Sequence, residues 1–498
     1  MEKFLLKDIE EQAKEQRNKY QLYHNYLNHS HARKKEIFLK VAPKDVGIPE
    51  EWAIDKKFNP FYVLKRKKQI AKSISKKILN GTYEPNAPHL KKIDKPNGGF
   101  REISIYQIPD SAVSDRFYNN LLSKNKHRFS SLSYAYRNDR NIHFAIQDIA
   151  NELNSTPRIF VAEFDFSNFF GSISHEYVFK QLGKNAFLVS PIELQVIKAF
   201  LKPNSIGIPL GTSISLFLAN VVCWKLDREL ENQGLRFARY ADDTIIWSKD
   251  YTKITKAFEI ISNFSNETGI EINYNKSEGI SLLQKKSMPS EFNNSKEFVE
   301  FLGYKISTER ISIKEKSLKK IKSQISYLLY SNLIKPIRII PIHKRNIPIG
   351  GLDKNFLSSI MHIRRYLYGN LTEMTLKKYL NGTYKILSFK GIMSFYPLIN
   401  DVEQLKYMDK WLVSTIMNIL KLRKKILVEQ LGKGFDEDQF PYNKNKDELV
   451  FECRKITISG KEGLLELPSF LRIYEAMQKG LINEGIERVM NPQSGYYE

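Results

Sequence analysis

Two adjacent aspartates, Asp242 and Asp243, interrupt an aromatic and β-branched run at 237–247. Runs of this composition favour strands, and the polar pair predicts a β-hairpin with the acids at its turn. On its own, such a pair is more typical of a solvated turn. A third acid changes that interpretation, because Asp165 ends a second apolar run at 159–164 and has aromatic neighbours on both sides. The sequence therefore predicts an α+β core that brings three carboxylates together.

The three carboxylates have the composition of a metal site. An unpaired carboxylate is costly to bury, and a divalent cation supplies the missing counter-charge. Mg²⁺ suits such a site because it takes hard oxygen ligands and retains positions for substrate phosphates. We therefore expect Asp165, Asp242 and Asp243 to hold two Mg²⁺ ions, with Mn²⁺ as a substitute, in a site for phosphoryl transfer.

The overall charge of the chain indicates the class of partner. Lys and Arg number 78 against 55 Asp and Glu, which gives a formal net charge of +23 over 498 residues. A field of this sign attracts a polyanion, and nucleic acid is the first candidate, although a solvated basic surface has the same composition. The two cysteines exclude a disulfide framework. Without a signal peptide or a run of about 20 apolar residues, the expected location is cytoplasmic and away from membranes.

The texture of the sequence changes twice along the chain. Charged helical periodicity fills residues 1–60 and predicts a helical N-terminal extension. Short β-like runs alternate with helices at 61–305, and long helical patterns return at 306–498. A basic, proline-containing stretch at 335–351 interrupts the second helical region. We therefore expect a mixed core between two helical regions.

Three boxes that occur in order resemble the palm of reverse transcriptases. Residues 164–173 are similar to the first palm motif, and residues 240–243 are similar to the catalytic hairpin. Between them, residues 207–215 are similar to the motif that supports template and incoming nucleotide. The resemblance covers about residues 85–305. It implies a right-hand polymerase with fingers and palm at 61–305 and a helical, thumb-like domain after them.

Further boxes extend the resemblance and assign roles. Residues 95–103 resemble the fingers hairpin, whose basic side chains orient phosphate oxygens of the triphosphate. Residues 269–277 resemble the next palm motif, whose Lys276 is implied to assist the leaving pyrophosphate as a catalytic residue. Residues 301–304 resemble the primer-grip turn, and the Phe166 carbonyl is implied as a further metal ligand. The residues implied in nucleotide binding are Lys95, Arg101, Phe166, Phe170, Gly207, Pro209, Gly211 and Tyr240.

The choice of sugar depends on Phe170, which occupies the steric-gate position of the resembled family. An aromatic ring under the sugar leaves no room for a 2′-hydroxyl, so the resemblance implies DNA synthesis from dNTPs. The alternative is that Phe169 and Phe170 are both ordinary core residues.

Two departures narrow the resemblance. Many reverse transcriptases have Gln in place of Leu210 and Ser-Pro in place of Ser215-Leu216. An apolar side chain cannot hydrogen-bond a template or nucleotide there. Together with the helical region at 306–498, this favours a defence-associated, abortive-infection type of enzyme. That type implies antiphage activity, homo-oligomers, and DNA synthesis that is either RNA-templated or template-independent.

Other functions stay open at this point. One is a retroelement reverse transcriptase of the retron or group II intron kind, and another is a non-catalytic RNA-binding scaffold. Intact Asp165, Asp242 and Asp243 count against the scaffold. The hydroxyls of Ser494, Tyr496 and Tyr497 are candidates for protein priming, against the alternative of an ordinary disordered tail. Five basic groups are candidate phosphate contacts, although each alone is more typical of a solvated face: 33–35, 65–68, 344–345, 364–365 and 423–425.

Overall fold

The computed structural model describes most of the chain. It describes residues 1–489 except 39–40, 45–46, 96–97, 155, 203–204, 291, 384–386, 433–434 and 459–462. The proposed priming hydroxyls of Ser494, Tyr496 and Tyr497 lie outside the described residues, so protein priming stays a prediction. The chain divides into two compact units, one formed by 1–27 with 45–298 and the other by 28–44 with 299–498.

The first unit combines helices with a mixed sheet. Its helices are α1 Glu2–Ile37 (which continues into the second unit), α2 Glu51–Ile54, α3 Pro60–Leu79, α4 Ile108–Asn125, α5 Ile142–Leu153, α6 Phe169–Ser172, α7 His175–Lys184, α8 Pro191–Leu201, α9 Ser213–Val222, α10 Trp224–Asn232 and α11 Tyr251–Thr268. Its strands are β1 His89–Asp94, β2 Phe100–Ile105, β3 Arg158–Phe164, β4 Arg236–Tyr240, β5 Asp243–Ser248, β6 Gly279–Gln284 and β7 Ser295–Lys296.

Five strands make the central sheet, in the order β4-β5-β3-β6-β7. Strand β3 pairs antiparallel with β5 on one side and with β6 on the other. The strand is rich in buried apolar residues because it is central, and Val161, Ala162 and Phe164 are all nearly inaccessible. The predicted strands at 159–166 and 244–247 are confirmed as β3 and β5 within one or two residues.

Apolar helices cover this sheet and set the ends of its strands. Helix α9 contributes Phe217, Leu218 and Val221 to the core, all fully or almost fully buried. Helix α1 adds Leu5 and Ile9, which share a helical face at the i, i+4 spacing. The central sheet therefore shares one hydrophobic core with α9 and α1.

The second unit is mainly helical. Its helices are α12 Glu315–Leu329, α13 Lys354–Tyr368, α14 Glu373–Leu380, α15 Val402–Leu431, α16 Lys446–Lys455, α17 Phe470–Glu484 and α18 Ile486–Val489, and its strands are β8 Val299–Phe301, β9 Tyr304–Ile306, β10 Ile311–Ile313, β11 Thr457–Ile458 and β12 Gly463–Leu464. A buried ion pair between Arg423 and Asp353 (2.8 Å) joins α15 to the start of α13. The basic, proline-containing stretch at 335–351 interrupts the α-helices as predicted. In this stretch, which the structure describes throughout, the only regular structure is two short 3₁₀ helices, Lys335–Ile337 and Lys344–Asn346.

The α+β fold with a helical N-terminal segment and a mainly helical C-terminal region agrees with the prediction from sequence. Within the described residues, no helix combines the length and the apolar character that a membrane crossing needs.

Candidate active site

The strand register gathers the three aspartates at one end of the sheet. Phe164 at the end of β3 pairs with Thr244 of β5, so the next step of the same ladder sets Asp165 level with Asp243. Tyr240 pairs with Asp243, which leaves Ala241 and Asp242 as the two-residue turn between β4 and β5. The predicted hairpin is confirmed, with Asp242 in the turn and Asp243 as the first residue of β5.

Asp165 is held by residues that follow α11. Its carboxylate accepts a hydrogen bond from the Asn273 side chain (2.9 Å) and pairs with the Lys276 ammonium (3.1 Å). Its backbone N–H donates to the Ser277 hydroxyl (3.2 Å). The Asp165 side chain is only 14% exposed, whereas that of Lys276 is 60% exposed. Asp165 is thus a mostly buried carboxylate with two side-chain partners, and Lys276 is a mostly exposed counter-charge beside it.

Asp242 is half-buried and lies in a mixed field. Burial raises the pKa of its carboxyl, and the negative charge of Asp165 raises it further. Arg101 and Lys276 act in the opposite direction and stabilise the ionised form. Asp243 is exposed. Asp165 and Asp242 are therefore close enough to repel each other, and both cations come from residues that the resemblance assigns to the site.

The carboxylate pair fits a hard divalent cation. A cation beside the two carboxylates would offset the negative charge of Asp165 that raises the pKa of Asp242, and oxygen ligands suit Mg²⁺. The carbonyl oxygen of Phe166 is a candidate further ligand. Phe166 forms a β-bridge with Ile272, and the two backbone hydrogen bonds that flank this bridge are accepted by the carbonyls of Asp165 and Glu271. Over the described part of the chain, no three His, Cys, Asp or Glu side chains are gathered closely enough to hold a metal. The fit thus rests on Asp165 and Asp242, and the participation of Asp243 stays a prediction.

A buried arginine, Arg239, hydrogen-bonds the turn that carries Asp242. Arg239 binds the Asp227 carboxylate through two N–H groups, each at 2.6 Å, and both side chains are 1% exposed. The same guanidinium donates to the Ser133 hydroxyl (2.7 Å) and to the Ala241 carbonyl (3.0 Å). Although burial alone lowers the pKa of Arg239, the Asp227 charge more than compensates and the pKa is raised. The turn that carries Asp242 is therefore tied to a buried charge pair.

The hydrogen bond from Arg239 to the Ala241 carbonyl holds a strained residue, because Ala241 has a φ of 61°. A non-glycine residue in the left-handed region is strained by roughly 1–2 kcal/mol, and such strain persists only where the surroundings fix it. The backbone of Arg239 is fixed as well, since its N–H donates to the Leu132 carbonyl (3.0 Å) and its carbonyl accepts from Tyr134 (2.9 Å). The strained turn is thus held from both sides of Arg239.

The fingers hairpin has the form predicted from its glycines. Strands β1 and β2 pair antiparallel, and Gly98 and Gly99 have φ values of 88° and 75°. Lys95 closes the turn through backbone bonds with Gly98 and Gly99, and Arg101 is exposed on β2. Pro96 and Asn97 lie outside the described residues. Of the two predicted triphosphate ligands, Arg101 is the one whose charge stabilises ionised Asp242.

The motif at 207–212 threads between two other parts of the site. A Cβ atom on Gly207 would lie 2.7 Å from the Gly171 carbonyl, and one on Gly211 would lie 2.5 Å from the Ser104 carbonyl. Both glycines also have positive φ values, 88° and 115°. They are therefore required for close backbone approach to the first palm motif and to β2. Pro209 is buried between them, and a nucleotide contact by any of these residues stays a prediction.

The aromatic pair after Asp165 is divided between core and surface. Phe169 is 3% exposed and packs into the hydrophobic core, whereas Phe170 is half-buried. The Phe170 ring meets the Tyr136 ring edge to face, with centroids 6.2 Å apart. Burial, together with Asp242 and Tyr240, raises the pKa of Tyr136 to about 12. The Phe170 ring thus lies against Tyr136, which is close enough to Asp242 and Tyr240 for them to influence its pKa.

Sequence reasoning missed several of these residues. Asn273 and Ser277 belong to the same motif at 269–277 as Lys276. Their polar side chains close to Lys276 in the sequence could have indicated that they contact the site. Arg239 lies close to the aspartate pair, but nothing in the sequence shows that Asp227 is its partner. Tyr136 has no motif around it, and only its φ of 59° and its contact with Phe170 reveal it.

Two of the predicted phosphate contacts are wrong in part. Arg423 is fully buried in its pair with Asp353, and Arg364 is 7% exposed. A side chain that is inaccessible to solvent cannot reach a phosphate. The other predicted groups are exposed, except that Lys67 is half-buried in an ion pair with Glu10 (2.7 Å).

The class of the domain follows from the comparison with protein families. Residues 93–306 match the model of the family described as reverse transcriptase (RNA-dependent DNA polymerase). This match covers the five-stranded sheet, the β4-β5 hairpin with Asp242, and β2 with the turn before it. This part of the chain is therefore similar to a reverse transcriptase domain.

Individual relatives are distant. The chain is 28% identical over 192 residues to Retron Ec86 reverse transcriptase from Escherichia coli. The aligned residues cover 36% of this chain and 53% of the relative. It is 27% identical over 169 residues to Protein YkfC from Escherichia coli (strain K12), which is 32% of this chain and 44% of the relative. The chain spans about half the length of the curated relatives it matches.

Solved structures also match. A telomerase from Candida albicans, in complex with a fragment of telomeric RNA, has 13% sequence identity and a TM-score of 0.36. That match covers 74% of this chain and 67% of the telomerase chain.

We predict that Asp227→Ala lowers the free energy of unfolding by about 3–5 kcal/mol, because it leaves Arg239 buried without a counter-charge. Removing both charges, in Asp227→Leu with Arg239→Met, should cost less. Denaturant unfolding measures the stability of both variants.

Glu11→Ala is the control, because Glu11 forms an exposed ion pair with Lys7 (3.7 Å) on α1 of the same unit. Exposed pairs contribute about 0–1 kcal/mol. The interpretation is contradicted if Asp227→Ala destabilises the protein no more than Glu11→Ala does.

Proposed function

We propose that the chain is a reverse transcriptase-type DNA polymerase that extends a 3′-hydroxyl with dNTPs, using two Mg²⁺ ions. The observation that carries this proposal is the pair of repelling carboxylates, Asp165 and Asp242, flanked by the cations of Lys276 and Arg101. Carboxylates that face each other at a strained turn are costly for folding and are typical of a site that binds cations and phosphates.

Each side chain has a role in this proposal. Asp165 and Asp242, with Asp243 and the Phe166 carbonyl, would hold the metal ions. When bound, Mg²⁺ supplies Lewis-acid stabilisation of the phosphoryl oxygens. Arg101 and Lys95 bind the triphosphate and orient it for in-line displacement.

Lys276 has a second role that its exposure permits. Its ammonium neutralises Asp165 at 3.1 Å but belongs to a mostly exposed side chain. The ammonium would be able to donate a proton or a hydrogen bond to the leaving pyrophosphate. Asn273 stays on Asp165 and keeps its carboxylate oriented.

We predict that replacing Asp242 and Asp243 together with Ala reduces nucleotide incorporation by several orders of magnitude while leaving nucleic-acid binding intact. The reason is that the variant removes charge from the turn and leaves the basic surfaces unchanged. Primer extension and fluorescence anisotropy measure the two properties. Synthesis at the wild-type rate by a folded double variant would refute the proposed activity.

Sugar selection is proposed to depend on the ring of Phe170, supported by Tyr136. We expect Phe170→Ala to raise the use of rNTPs relative to dNTPs by about 10- to 200-fold, because removing the ring opens space for the 2′-hydroxyl. Phe169→Leu is the control, since Phe169 lies in the core and should affect stability alone. An unchanged ratio of kcat/KM values for rNTP and dNTP in Phe170→Ala would exclude the steric-gate role.

The physiological role is proposed to be antiphage defence of the abortive-infection kind, with homo-oligomers in the cytoplasm. Leu210 supports it, because an apolar side chain stands at the position where many reverse transcriptases carry Gln. The helical region after the palm is a second supporting feature. The match to a retron reverse transcriptase favours a second candidate, a retroelement enzyme that copies one particular RNA.

Sequencing of the RNA and DNA that copurify with the protein separates the two roles. The defence proposal predicts DNA of low complexity or without a genomic template, and a loss of phage resistance in the double aspartate variant. A single DNA species complementary to one copurifying RNA would instead identify a retroelement enzyme. Mass spectrometry of DNA-linked peptides in the same sample tests priming on Ser494, Tyr496 or Tyr497.

A further inference from the structure

Helix α3 carries an unusual concentration of positive charge. Its 20 residues contain seven Lys or Arg and no Asp or Glu. Four of the lysines are exposed and lie along one side of the helix at spacings of three or four residues: Lys65, Lys68, Lys72 and Lys76. These four lysines are called the lysine stripe.

The opposite side of α3 is committed to the fold. Val63, Ala71 and Ile78 are buried in the core of the first unit. Lys67 lies on this same side, is half-buried and pairs with Glu10 of α1 (2.7 Å). Packing therefore fixes the rotation of α3, and the lysine stripe faces solvent.

The stripe differs from other lysines of the same unit. On α1, the exposed Lys7, Lys14 and Lys19 each pair with a glutamate one turn away. Over the residues that the structure describes, no carboxylate pairs with any lysine of the stripe. Like charges one turn apart destabilise a helix, so this arrangement has a cost that a bound polyanion removes.

We propose that the lysine stripe binds the phosphodiester backbone of a nucleic-acid strand. The inference rests on the proposed function and deepens it by naming a surface of contact. A line of ammonium groups along a rigid helix follows a line of phosphates and reads no base, so it binds RNA and DNA strands alike.

A membrane surface fits this helix less well than a nucleic acid. A helix that lies on a lipid surface buries an apolar face in the bilayer, and the apolar face of α3 is already buried in the protein. Exposed apolar side chains of α3 occur only near its ends, at Phe61, Tyr62 and Leu79. The stripe itself is purely cationic, which suits phosphates and not acyl chains.

The test compares two triple variants of the full chain that lose the same charge from helices of the same unit. One is Lys68→Gln with Lys72→Gln and Lys76→Gln. The control is Lys7→Gln with Lys14→Gln and Lys19→Gln. Fluorescence anisotropy, without nucleotides, measures binding of a labelled RNA strand and of a DNA strand of the same sequence across salt concentrations. Thermal unfolding checks that both variants fold.

The stripe variant should lower the slope of log K against log salt by about 2, since each lost phosphate contact removes about 0.7 for a single strand. The control should keep the wild-type slope. Equal slopes in all three proteins, or an equal loss in both variants, would overturn the proposal. Loss of binding to phosphatidylserine vesicles with unchanged nucleic-acid binding would overturn it too, in favour of a lipid surface.

Nucleotide incorporation measured in parallel separates this inference from the proposed function. If the polymerase proposal alone fails, wild type incorporates nothing and the stripe variant still weakens strand binding. If the stripe alone fails, wild type incorporates nucleotides and the stripe variant binds strands as wild type does.

Discussion

The buried ion pair between Arg239 and Asp227 is the interaction on which the candidate site depends. Taking two charges out of water is costly, and the pair compensates only because its geometry is bidentate and its remaining donors are used. One of those donors holds the Ala241 carbonyl and another meets Ser133. A strained turn and a half-buried carboxylate are thereby attached to a fully buried charge pair.

This attachment explains how Asp242 can face Asp165. Two carboxylates at the end of an antiparallel ladder repel each other, and burial makes ionisation of Asp242 still less favourable. Lys276 and Asn273 hold Asp165, and Arg101 compensates Asp242 from the fingers hairpin. Such a pair lowers the stability of the fold, and a cost of this kind is common at functional sites. The negative charge of the pair supports the proposed cation site.

Sequence predicted the parts of this arrangement that are local. The apolar run before Asp165 and the β-branched runs around Asp242 gave the strands, and the Gly98-Gly99 pair gave the fingers turn. It did not give partners that are distant in the chain, because nothing near Arg239 specifies Asp227 and nothing near Phe170 specifies Tyr136. It also could not separate buried from exposed cations. In the sequence, Arg423 belongs to a basic cluster at 423–425. Tertiary packing nevertheless buries its side chain completely in an ion pair with Asp353.

Cation binding by the pair of Asp165 and Asp242 is the central claim, and a Mn²⁺ titration followed by electron paramagnetic resonance tests it most directly. We expect wild type to bind Mn²⁺ and Asp242→Asn to bind it at least about tenfold more weakly, the size typical of losing a group that supports a metal site. Glu259→Gln, which removes an exposed carboxylate of α11, should bind as wild type does. Equal Mn²⁺ affinity in wild type and Asp242→Asn would contradict the account.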